Sequence, residues 1–354
     1  MKINEILFKD SSTSSHGRIL FLDSMRAIGI VMVVGLHSLS YCLPLPIPQQ
    51  NIISFLVGTI PVPIFFLVDG YLFALHIASP KEYNHLKHIK KSIIRLLVPW
   101  MIFTLLYLIA RYYFELKGYL PENLIVGHSI KEIIISAYGS VYFAHMYFLI
   151  SLFIVRLLNP IFRQILRIKQ YTILLILFLS ILIIYNFSSK FINPLLHIKG
   201  GEEPITHALW GIQFYFFGII LFKTSAIVKL KKLFFPFLLL FFAAMVVSNE
   251  ILQTHYGQIL IQYLYLLSFF LLFVYIGDRL SILNKIGKNT MGIYLLHAPI
   301  IIKVVSLVTN KIILFPLLNY LVILTGTFIL SICAVLSIKK VPYGPMLFGE
   351  INKR

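Results

Sequence analysis

Long apolar stretches separated by short polar segments run along almost the whole chain. A helix needs about 20 mostly apolar residues to cross the hydrocarbon core of a membrane. Counted with that length, the chain contains ten such stretches, at residues 19–43, 52–78, 93–115, 138–158, 171–187, 207–222, 233–249, 259–277, 290–309 and 313–338. The pattern therefore predicts an all-α polytopic membrane protein with about ten transmembrane helices.

The composition agrees with this prediction. Hydrophobic residues make up 59% of the chain and charged residues only 12%, whereas soluble domains average about 25% charged residues. We predict that residues 1–354 form a single membrane domain, with a cytoplasmic segment at 1–18, a helical bundle at 19–338 and a cytoplasmic tail at 339–354.

Lysine and arginine are concentrated in alternate segments between the predicted helices. The rich segments are 2–18, 81–95, 163–169, 223–232, 279–288 and 339–354. The segments between them hold far fewer, and residues 38–51 and 250–258 hold none. Because cytoplasmic loops carry the excess of basic residues, this alternation predicts that both termini are cytoplasmic. The net charge of +18 then reflects topology and contact with anionic membrane lipids, and no nucleic-acid partner is expected.

The first predicted helix carries three ionisable residues within or beside its apolar run: Asp23, Arg26 and His37. Arg26 and His37 are eleven residues apart, which at about 100° per residue places both on one face of a helix, roughly 16 Å apart along its axis. Asp23 precedes Arg26 by three residues, the spacing of a helical ion pair. A charged residue in the hydrocarbon core costs at least ~2.5–3.5 kcal/mol and usually has a function. We therefore expect this face to point into the protein.

Counting along the predicted helices sorts the ionisable residues into two depths. Four residues would share a layer in the cytoplasmic half: Asp23, Arg26, Asp69 and His297. Two residues would share a layer near the outer ends of their helices: His37 and His145.

Structural alternatives exist for each of these residues. Asp23 and Arg26 could form a packing ion pair, and Asp69 could simply neutralise Arg26 or Arg95 across a helix pair. His37 could be no more than a hydrogen-bonded interior residue. The two remaining histidines, His145 and His297, could make ordinary hydrogen bonds between helices.

The residue types favour acid–base chemistry without a bound cofactor. A histidine can take a proton from a hydroxyl near neutral pH, whereas an arginine stays charged and can hold phosphate or developing negative charge. His85 and His88 lack a third ligand, so no metal is expected. Phosphate-binding and dinucleotide-binding glycine motifs, the zinc-peptidase helix and the nucleophile elbow are all absent.

Several segments resemble the signatures of acyltransferase family 3 over essentially the full length. LDSMRAIGIVMVVGLH resembles the family's N-terminal element, with its arginine, ten residues and histidine. Four later segments are similar to family elements in the same order: PVPIFFLVDGYLF, RLLVPW, AHMYFLISLFIVRLLNP and IGKNTMGIYLLHAPII. The chain is most similar in organisation to the single-domain members that resemble the enterobacterial common antigen O-acetyltransferase.

The resemblance implies a function, a location and a site. Family members transfer an acetyl or other short acyl group, typically from cytoplasmic acyl-CoA, to a hydroxyl of a cell-envelope glycan or its lipid-linked precursor. The chain would be a multi-pass protein of the bacterial cytoplasmic (inner) membrane, with acetyl-CoA as co-substrate and no bound cofactor. Arg26 and His37 match the family's essential pair, and Asp23 matches the acidic position before it.

Three departures from the family pattern leave the acyl group and the acceptor open. Asp69 stands where the family usually has serine, and Tyr147 where it usually has tryptophan. Residues 289–291, Asn-Thr-Met, replace the usual Ser-Leu.

We hypothesise that the CoA head binds cytoplasmic basic residues such as Arg95 and Lys91 and that Arg26, held by Asp23, lines the path of the thioester arm. His37 would act as general base, with His145 assisting or binding the sugar, and with Tyr147, Asp69 and His297 as further substrate-binding candidates. The alternative function is an exporter of polysaccharide or lipid-linked glycan intermediates. The membrane-bound O-acyltransferase class is disfavoured because its histidine lies late in the chain.

Overall fold

The computed structural model describes residues 19–79, 82–120, 122–141, 143–196, 203–224, 231–247, 255–276 and 280–350. It is 83% helical, and its described part contains no strand, which confirms the all-α prediction. The predicted cytoplasmic segment at 1–18 and the last four residues of the predicted tail lie outside the described residues.

Seven helical segments in the described part are long and apolar enough to cross a membrane: Leu20–Leu39, Ile47–Ala78, His85–Leu116, Pro204–Lys223, Gly257–Ile276, Thr290–Ile312 and Pro316–Lys340. A bent pair, Tyr147–Leu157 with Asn159–Leu166, makes an eighth candidate if it is one span. Two shorter apolar helices occupy Tyr171–Tyr185 and Phe234–Ala243. Each of the ten predicted segments corresponds to one of these elements.

Proline breaks the second predicted span into two helices, α2 (Ile47–Gly58) and α3 (Pro61–Ala78), which follow α1 (Leu20–Leu39). Pro61 cannot donate a main-chain hydrogen bond, and it disfavours a helical conformation for the residue before it. The third predicted span begins with α4 (His85–Ser92), passes through a π-helical turn at Ile93–Leu97, and continues as α5 (Val98–Leu116).

The prediction of one continuous helix over residues 138–158 is wrong. A separate helix, α6 (Ile130–Tyr138), begins with a capping box between Ser129 and Glu132 and ends at Gly139. Ser140 then adopts a left-handed conformation with φ of 53°, which a helix cannot continue through. After a 3₁₀ turn at Ala144–Met146, α7 (Tyr147–Leu157) and α8 (Asn159–Leu166) meet at a 52° bend.

The remaining helices follow in chain order: α9 (Tyr171–Leu196), α10 (Pro204–Lys223), α11 (Phe234–Val247), α12 (His255–Ile276), α13 (Ser281–Gly287), α14 (Thr290–Leu296), α15 (Ile302–Ile312), α16 (Pro316–Lys340) and α17 (Gly344–Leu347). A π-helical turn at His297–Ile301 joins α14 to α15.

Contacts divide the chain into two compact units. The first unit comprises Met1–Tyr71 and Ile220–Ile332, and the second comprises Leu72–Ile219 and Cys333–Arg354. The prediction of a single domain stays a prediction.

In the first unit, α1 packs closely against α13. A Cβ atom on Gly287 would lie only 2.2 Å from the carbonyl oxygen of Asp23, so glycine is required for this approach. Beside it, the Ser24 hydroxyl donates to Asn284 Oδ1 over 2.9 Å. These two contacts fix the register of α1 against α13.

Two asparagines hold the other end of α1 in the first unit. The main-chain N–H of Leu43 donates to Asn319 Oδ1 over 3.1 Å, and Asn310 Nδ2 donates to the Tyr41 carbonyl over 3.0 Å. Asn319 Nδ2 also donates to Asn310 Oδ1 over 2.9 Å, and Asn319 is fully buried. The segment after His37 is therefore tied to the start of α16 and the end of α15.

In the second unit, the segments predicted to be cytoplasmic contact one another. The Arg163 guanidinium lies over the Tyr83 ring, 5.5 Å from its centroid. Arg156 Nη1 donates to Ser92 Oγ over 3.3 Å. A Cβ atom on Gly349 would lie 2.6 Å from the Arg95 carbonyl oxygen. These contacts agree with a location of residues 82–95, 163–169 and 339–350 on the same side of the membrane.

Candidate active site

The ring of His37 lies against the ring of His297 in the first unit. Their centroids are 5.2 Å apart, and the ring planes are tilted by 47°. His37 is half-buried near the outer end of α1, and His297 is fully buried at the start of the π-helical turn. Two imidazoles in contact within a hydrophobic interior can pass or share a proton with a hydroxyl bound beside them.

The main chain fixes which nitrogen of His297 carries a proton. His297 Nδ1 lies 2.7 Å from the Tyr294 carbonyl oxygen and 3.1 Å from the Ile293 carbonyl oxygen. Carbonyl oxygens only accept hydrogen bonds, so Nδ1 is the donor. In an uncharged ring, Nε2 is then an acceptor.

The sequence around His297 explains this position. Ala298 precedes Pro299 and therefore takes an extended conformation, with φ −129° and ψ 151°. Pro299 has no N–H for the next helical hydrogen bond. The helix is interrupted directly after His297, which leaves this side chain at the carbonyl end of α14.

The predicted depth of His297 is wrong. The sequence analysis counted its depth from residue 290 and placed it beside Arg26, but the structure places it beside His37. The register explains the error, because Gly287 already lies level with Asp23. Ten further residues of mainly helical chain rise about 15 Å, which covers most of the roughly 21 Å along α1 from Asp23 to His37.

The predicted ion pair between Asp23 and Arg26 is present. Arg26 Nη1 lies 3.4 Å from Asp23 Oδ1, and Asp23 is only 5% exposed. Asp23 belongs to the first turn of α1, where the helix dipole favours negative charge. Since Gly287 packs on the main chain of Asp23, this pair both carries charge and contributes to helix packing.

Asp69 lies at the depth that the sequence predicted. Helices α1 and α3 contact each other through Phe21 with Tyr71, at 6.0 Å between ring centroids. A second contact lies at Gly29, where a Cβ atom would be 3.4 Å from Ile64. This antiparallel register places Asp69, which is buried, about level with residues 23 and 24.

The other candidates belong to the second unit. His145 is buried in the 3₁₀ turn, and Tyr147 begins α7 with its ring stacked on His207 at 4.0 Å between centroids. Arg95 is exposed in the π-helical turn before α5. The structure thus pairs Asp23 with Arg26 and His37 with His297. His145 and Tyr147 lie together in the other unit.

Sequence reasoning missed a polar cluster near Tyr147. The Tyr138 hydroxyl donates to Glu203 Oε1 over 2.8 Å, and Glu203 Oε2 accepts from the Thr206 N–H at the start of α10 over 2.8 Å. Burial raises the pKa of the Tyr138 hydroxyl, and the Glu203 carboxylate raises it further. Negative charge is favoured at a helix N-terminus and proline is common at the first helical position, so Glu203 before Pro204 could have been found from sequence.

Among the described residues, no group of three or more His, Cys, Asp or Glu side chains could hold a metal ion.

Neither a curated protein nor a solved structure matches the chain. A family profile described as an acyltransferase domain matches residues 19–336, from the start of α1 to near the end of α16. This match covers the five signature segments, both histidines of the pair and the Asp23–Arg26 ion pair. The chain therefore belongs to acyltransferase family 3 and is a multi-pass membrane O-acyltransferase.

Proposed function

We propose that this enzyme transfers an acetyl group from cytoplasmic acetyl-CoA to a hydroxyl of a cell-envelope glycan or lipid-linked saccharide, in the bacterial inner membrane. The observation that carries the proposal is the contact between His37 and His297, with ring centroids 5.2 Å apart. It supplies a base whose neighbour is oriented by the main chain, in a family that transfers acyl groups.

In the proposed reaction, His37 takes the proton of the acceptor hydroxyl as its oxygen attacks the thioester carbonyl carbon. The C–O bond forms, and the carbonyl electrons move to the oxygen of a tetrahedral intermediate. When this intermediate collapses, the C–S bond breaks and the CoA thiolate leaves. The proton held by His37 then neutralises the thiolate, so the histidine ends uncharged as it began.

His297 is proposed to orient His37 instead of binding substrate itself. Its Nδ1–H is held by the Tyr294 carbonyl, so the ring cannot turn without losing a buried hydrogen bond. The acceptor Nε2 of the uncharged ring is suited to fix the tautomer of a neighbouring base. The same logic governs histidines that are oriented by a second group in other acyl-transfer sites.

Arg26 is too far along α1 to act on the same atom as His37. The eleven residues between them correspond to roughly 16 Å of helix, well beyond hydrogen-bond reach. An acyl-CoA donor has a long arm between its phosphates and its thioester, so one molecule can contact both residues. We propose that Arg26, held by Asp23, binds the donor away from the reacting carbonyl.

The remaining candidates are proposed to bind the two substrates. Arg95 and Lys91 carry positive charge for the nucleotide phosphates of the donor. His145 and the Tyr147 hydroxyl offer donors and acceptors of the kind that sugar hydroxyls require. Asp69 is buried near the level of Asp23. It is proposed to balance charge in the layer of the cytoplasmic half that contains Asp23 and Arg26.

The decisive experiment compares the envelope glycans of a deletion strain complemented with the wild type, H37A or R26A. Mass spectrometry should show acetylated glycan with the wild type and loss of the acetyl group with both variants. H37A, which removes the proposed general base, should lower the rate of acetyl transfer about 10²- to 10⁴-fold. Variants H128A and R167A, at exposed positions outside the site, serve as matched controls and should acetylate normally.

Normal acetylation by H37A at wild-type expression would remove the proposed base. Accumulation of an unexported precursor with unchanged acetylation would instead support the exporter function.

A further inference from the structure

Lys303 is a charged residue inside an apolar helix of the first unit. It belongs to the candidate membrane span Thr290–Ile312, and its side chain is exposed. It follows His297 by six residues towards the predicted outer side, where basic residues are less common than in the cytoplasmic loops. Because a charged side chain within a membrane span is costly and usually marks a functional site, this lysine needs an explanation beyond topology.

The ammonium group of Lys303 lies next to the turn of chain that follows His37. Lys303 Nζ is 5.9 Å from the centroid of the Tyr41 ring. The helical turn continues past the end of α1, since the N–H groups of Tyr41 and Cys42 donate to the Ser38 carbonyl over 3.1 and 3.0 Å. Tyr41 therefore lies one turn beyond His37, about 6 Å further along the axis and on nearly the same face. Lys303 thus brings a positive charge close to the proposed general base.

Lys303 lies on the side of α15 that faces this turn. Asn310 follows it by seven residues, which at about 100° per residue puts both on one stripe of the helix. Asn310 Nδ2 donates to the Tyr41 carbonyl over 3.0 Å. The strongly exposed apolar residues Val308 and Ile312 lie on another side of α15. The ammonium group is therefore placed beside protein side chains, at the edge of the lipid-facing surface.

No carboxylate forms an ion pair with Lys303 in the part of the chain that the structure describes. Within the described part of the first unit, the only acidic residues are Asp23 and Asp69, and both lie in the layer of the cytoplasmic half. The face of the Tyr41 ring attracts a cation but does not neutralise its charge. An exposed ammonium group in this position is suited to bind an anion that a substrate supplies.

The position of this charge distinguishes between the two substrates. The phosphates of the acyl-CoA donor are proposed to bind at the cytoplasmic side, whereas Lys303 lies outward of His297. The anion therefore belongs to the acceptor. Because Lys303 contacts the turn directly after His37, this anion is on the sugar that carries the attacking hydroxyl, or on the group attached directly to that sugar.

We propose that Lys303 binds an anionic group of the acceptor, next to the hydroxyl that His37 activates. The acceptor is an acidic saccharide. Its negative charge is either a carboxylate on the sugar or the pyrophosphate that joins the sugar to a lipid carrier, and both present anionic oxygens to the same ammonium group. This inference rests on the proposed function, which makes His37 the base for an acceptor hydroxyl, and it adds the charge of the acceptor.

The test measures the KM for the acceptor with the full-length protein in proteoliposomes. Acetyl-CoA is the donor, and the envelope saccharide fraction extracted from the deletion strain is the acceptor. K303Q removes the charge and keeps most of the length of the side chain. It should raise the KM for the acceptor about tenfold, the size expected for one hydrogen bond to a charged group. The KM for acetyl-CoA should stay unchanged.

Two further variants separate the charge from a structural effect. K303R keeps the charge and should keep an acceptor KM close to that of the wild type. K311Q, at the other exposed lysine of α15, is the matched control and should change neither KM. Because salt screens exposed charges, higher ionic strength should raise the acceptor KM of the wild type and of K303R but not that of K303Q. A purely structural role of Lys303 would not produce this difference.

Two treatments of the acceptor fraction distinguish the sources of the anion. Mild acid releases the saccharide from a pyrophosphate-linked lipid, and a carbodiimide with an amine converts carboxylates to uncharged amides. The treatment that removes the bound group should raise the wild-type KM to that of K303Q. The other treatment should leave the difference between the wild type and K303Q as it was.

A wild-type acceptor KM in K303Q would overturn this inference and leave the proposed function intact, and it is the result expected if Lys303 only contacts lipid headgroups. A difference between the wild type and K303Q that survives both treatments would also overturn it, because the lysine would then act on neither anion. Failure of the wild type to acetylate any saccharide in the fraction would instead overturn the proposed function.

Discussion

At the scale of single residues, His297 shows how the main chain can prepare a side chain for acid–base work. Its Nδ1–H donates a hydrogen bond to the Tyr294 carbonyl, and the ring is fully buried. A histidine on a regular exposed helix would rotate among several partners, but this one has a single orientation set by the interruption at Ala298. In the proposed mechanism, the neighbouring His37 is the group that benefits, because a general base must be held in one tautomer.

The variant H297L should therefore lower kcat by about three- to tenfold, since it removes the imidazole that lies against His37, and one polar interaction contributes about 0.5–1.5 kcal/mol. The KM for acetyl-CoA should stay unchanged. H297N should recover part of the loss, because an amide can still donate to the Tyr294 carbonyl and keep a polar side chain beside the His37 ring. Steady-state kinetics in proteoliposomes would check this, and a rise in KM with constant kcat would instead make His297 a substrate-binding residue.

At the scale of secondary-structure elements, the close packing of α13 against α1 positions the Asp23–Arg26 ion pair. Gly287 leaves room for the main chain of Asp23, and Ser24 bonds to Asn284 beside it. The opposite end of α1 is held by Asn319 through Leu43. The helix that carries Arg26 and His37 is thus fixed at both ends.

The substitution G287A should destabilise the protein, because its Cβ atom would lie 2.2 Å from a main-chain oxygen. Overpacking of this kind typically costs about 1–3 kcal/mol. The matched control is G29A on α1, where the added atom meets Ile64 and Phe65 at ordinary distances of 3.4–3.5 Å. This variant should be neutral or slightly stabilised, since alanine favours a helix.

Thermal unfolding of the detergent-solubilised protein would compare the two glycine variants. A melting temperature of G287A equal to that of the wild type would show that α1 and α13 can separate without loss of stability.

At the scale of the whole molecule, the basic segments define a topology. Within the second unit, Tyr83 contacts Arg163, Ser92 contacts Arg156, and the main chain of Arg95 contacts Gly349. Separately, Glu115 accepts hydrogen bonds from the main-chain N–H groups of Leu124, Ile125 and Val126, tying the predicted outer loop to the end of α5. The three predicted cytoplasmic segments of the second unit thus lie together, as the positive-inside rule requires.

Cysteine labelling would test this topology. In a background in which Cys42 and Cys333 are replaced by serine, K117C should react with a membrane-impermeant maleimide in intact cells. K169C should react only after the membrane is permeabilised. Both lysines are exposed, so accessibility to the reagent reports the side of the membrane. The reverse pattern would invert the orientation and place the basic segments outside.

The sequence by itself determined the helical class, the number of apolar segments and the pairing of Asp23 with Arg26. These features are local, since a membrane dictates segment length and helical periodicity dictates which residues three or four apart meet. It also determined that Arg26 and His37 share one face of α1, for the same reason.

Only the tertiary structure decided that His297 meets His37 and that Tyr147 stacks on His207. Each of these contacts joins segments that are distant in the chain. Their register depends on packing details such as the absence of a side chain at Gly287, and hydropathy does not encode such details. The break at Ser140 was likewise decided by local main-chain geometry inside an otherwise apolar run.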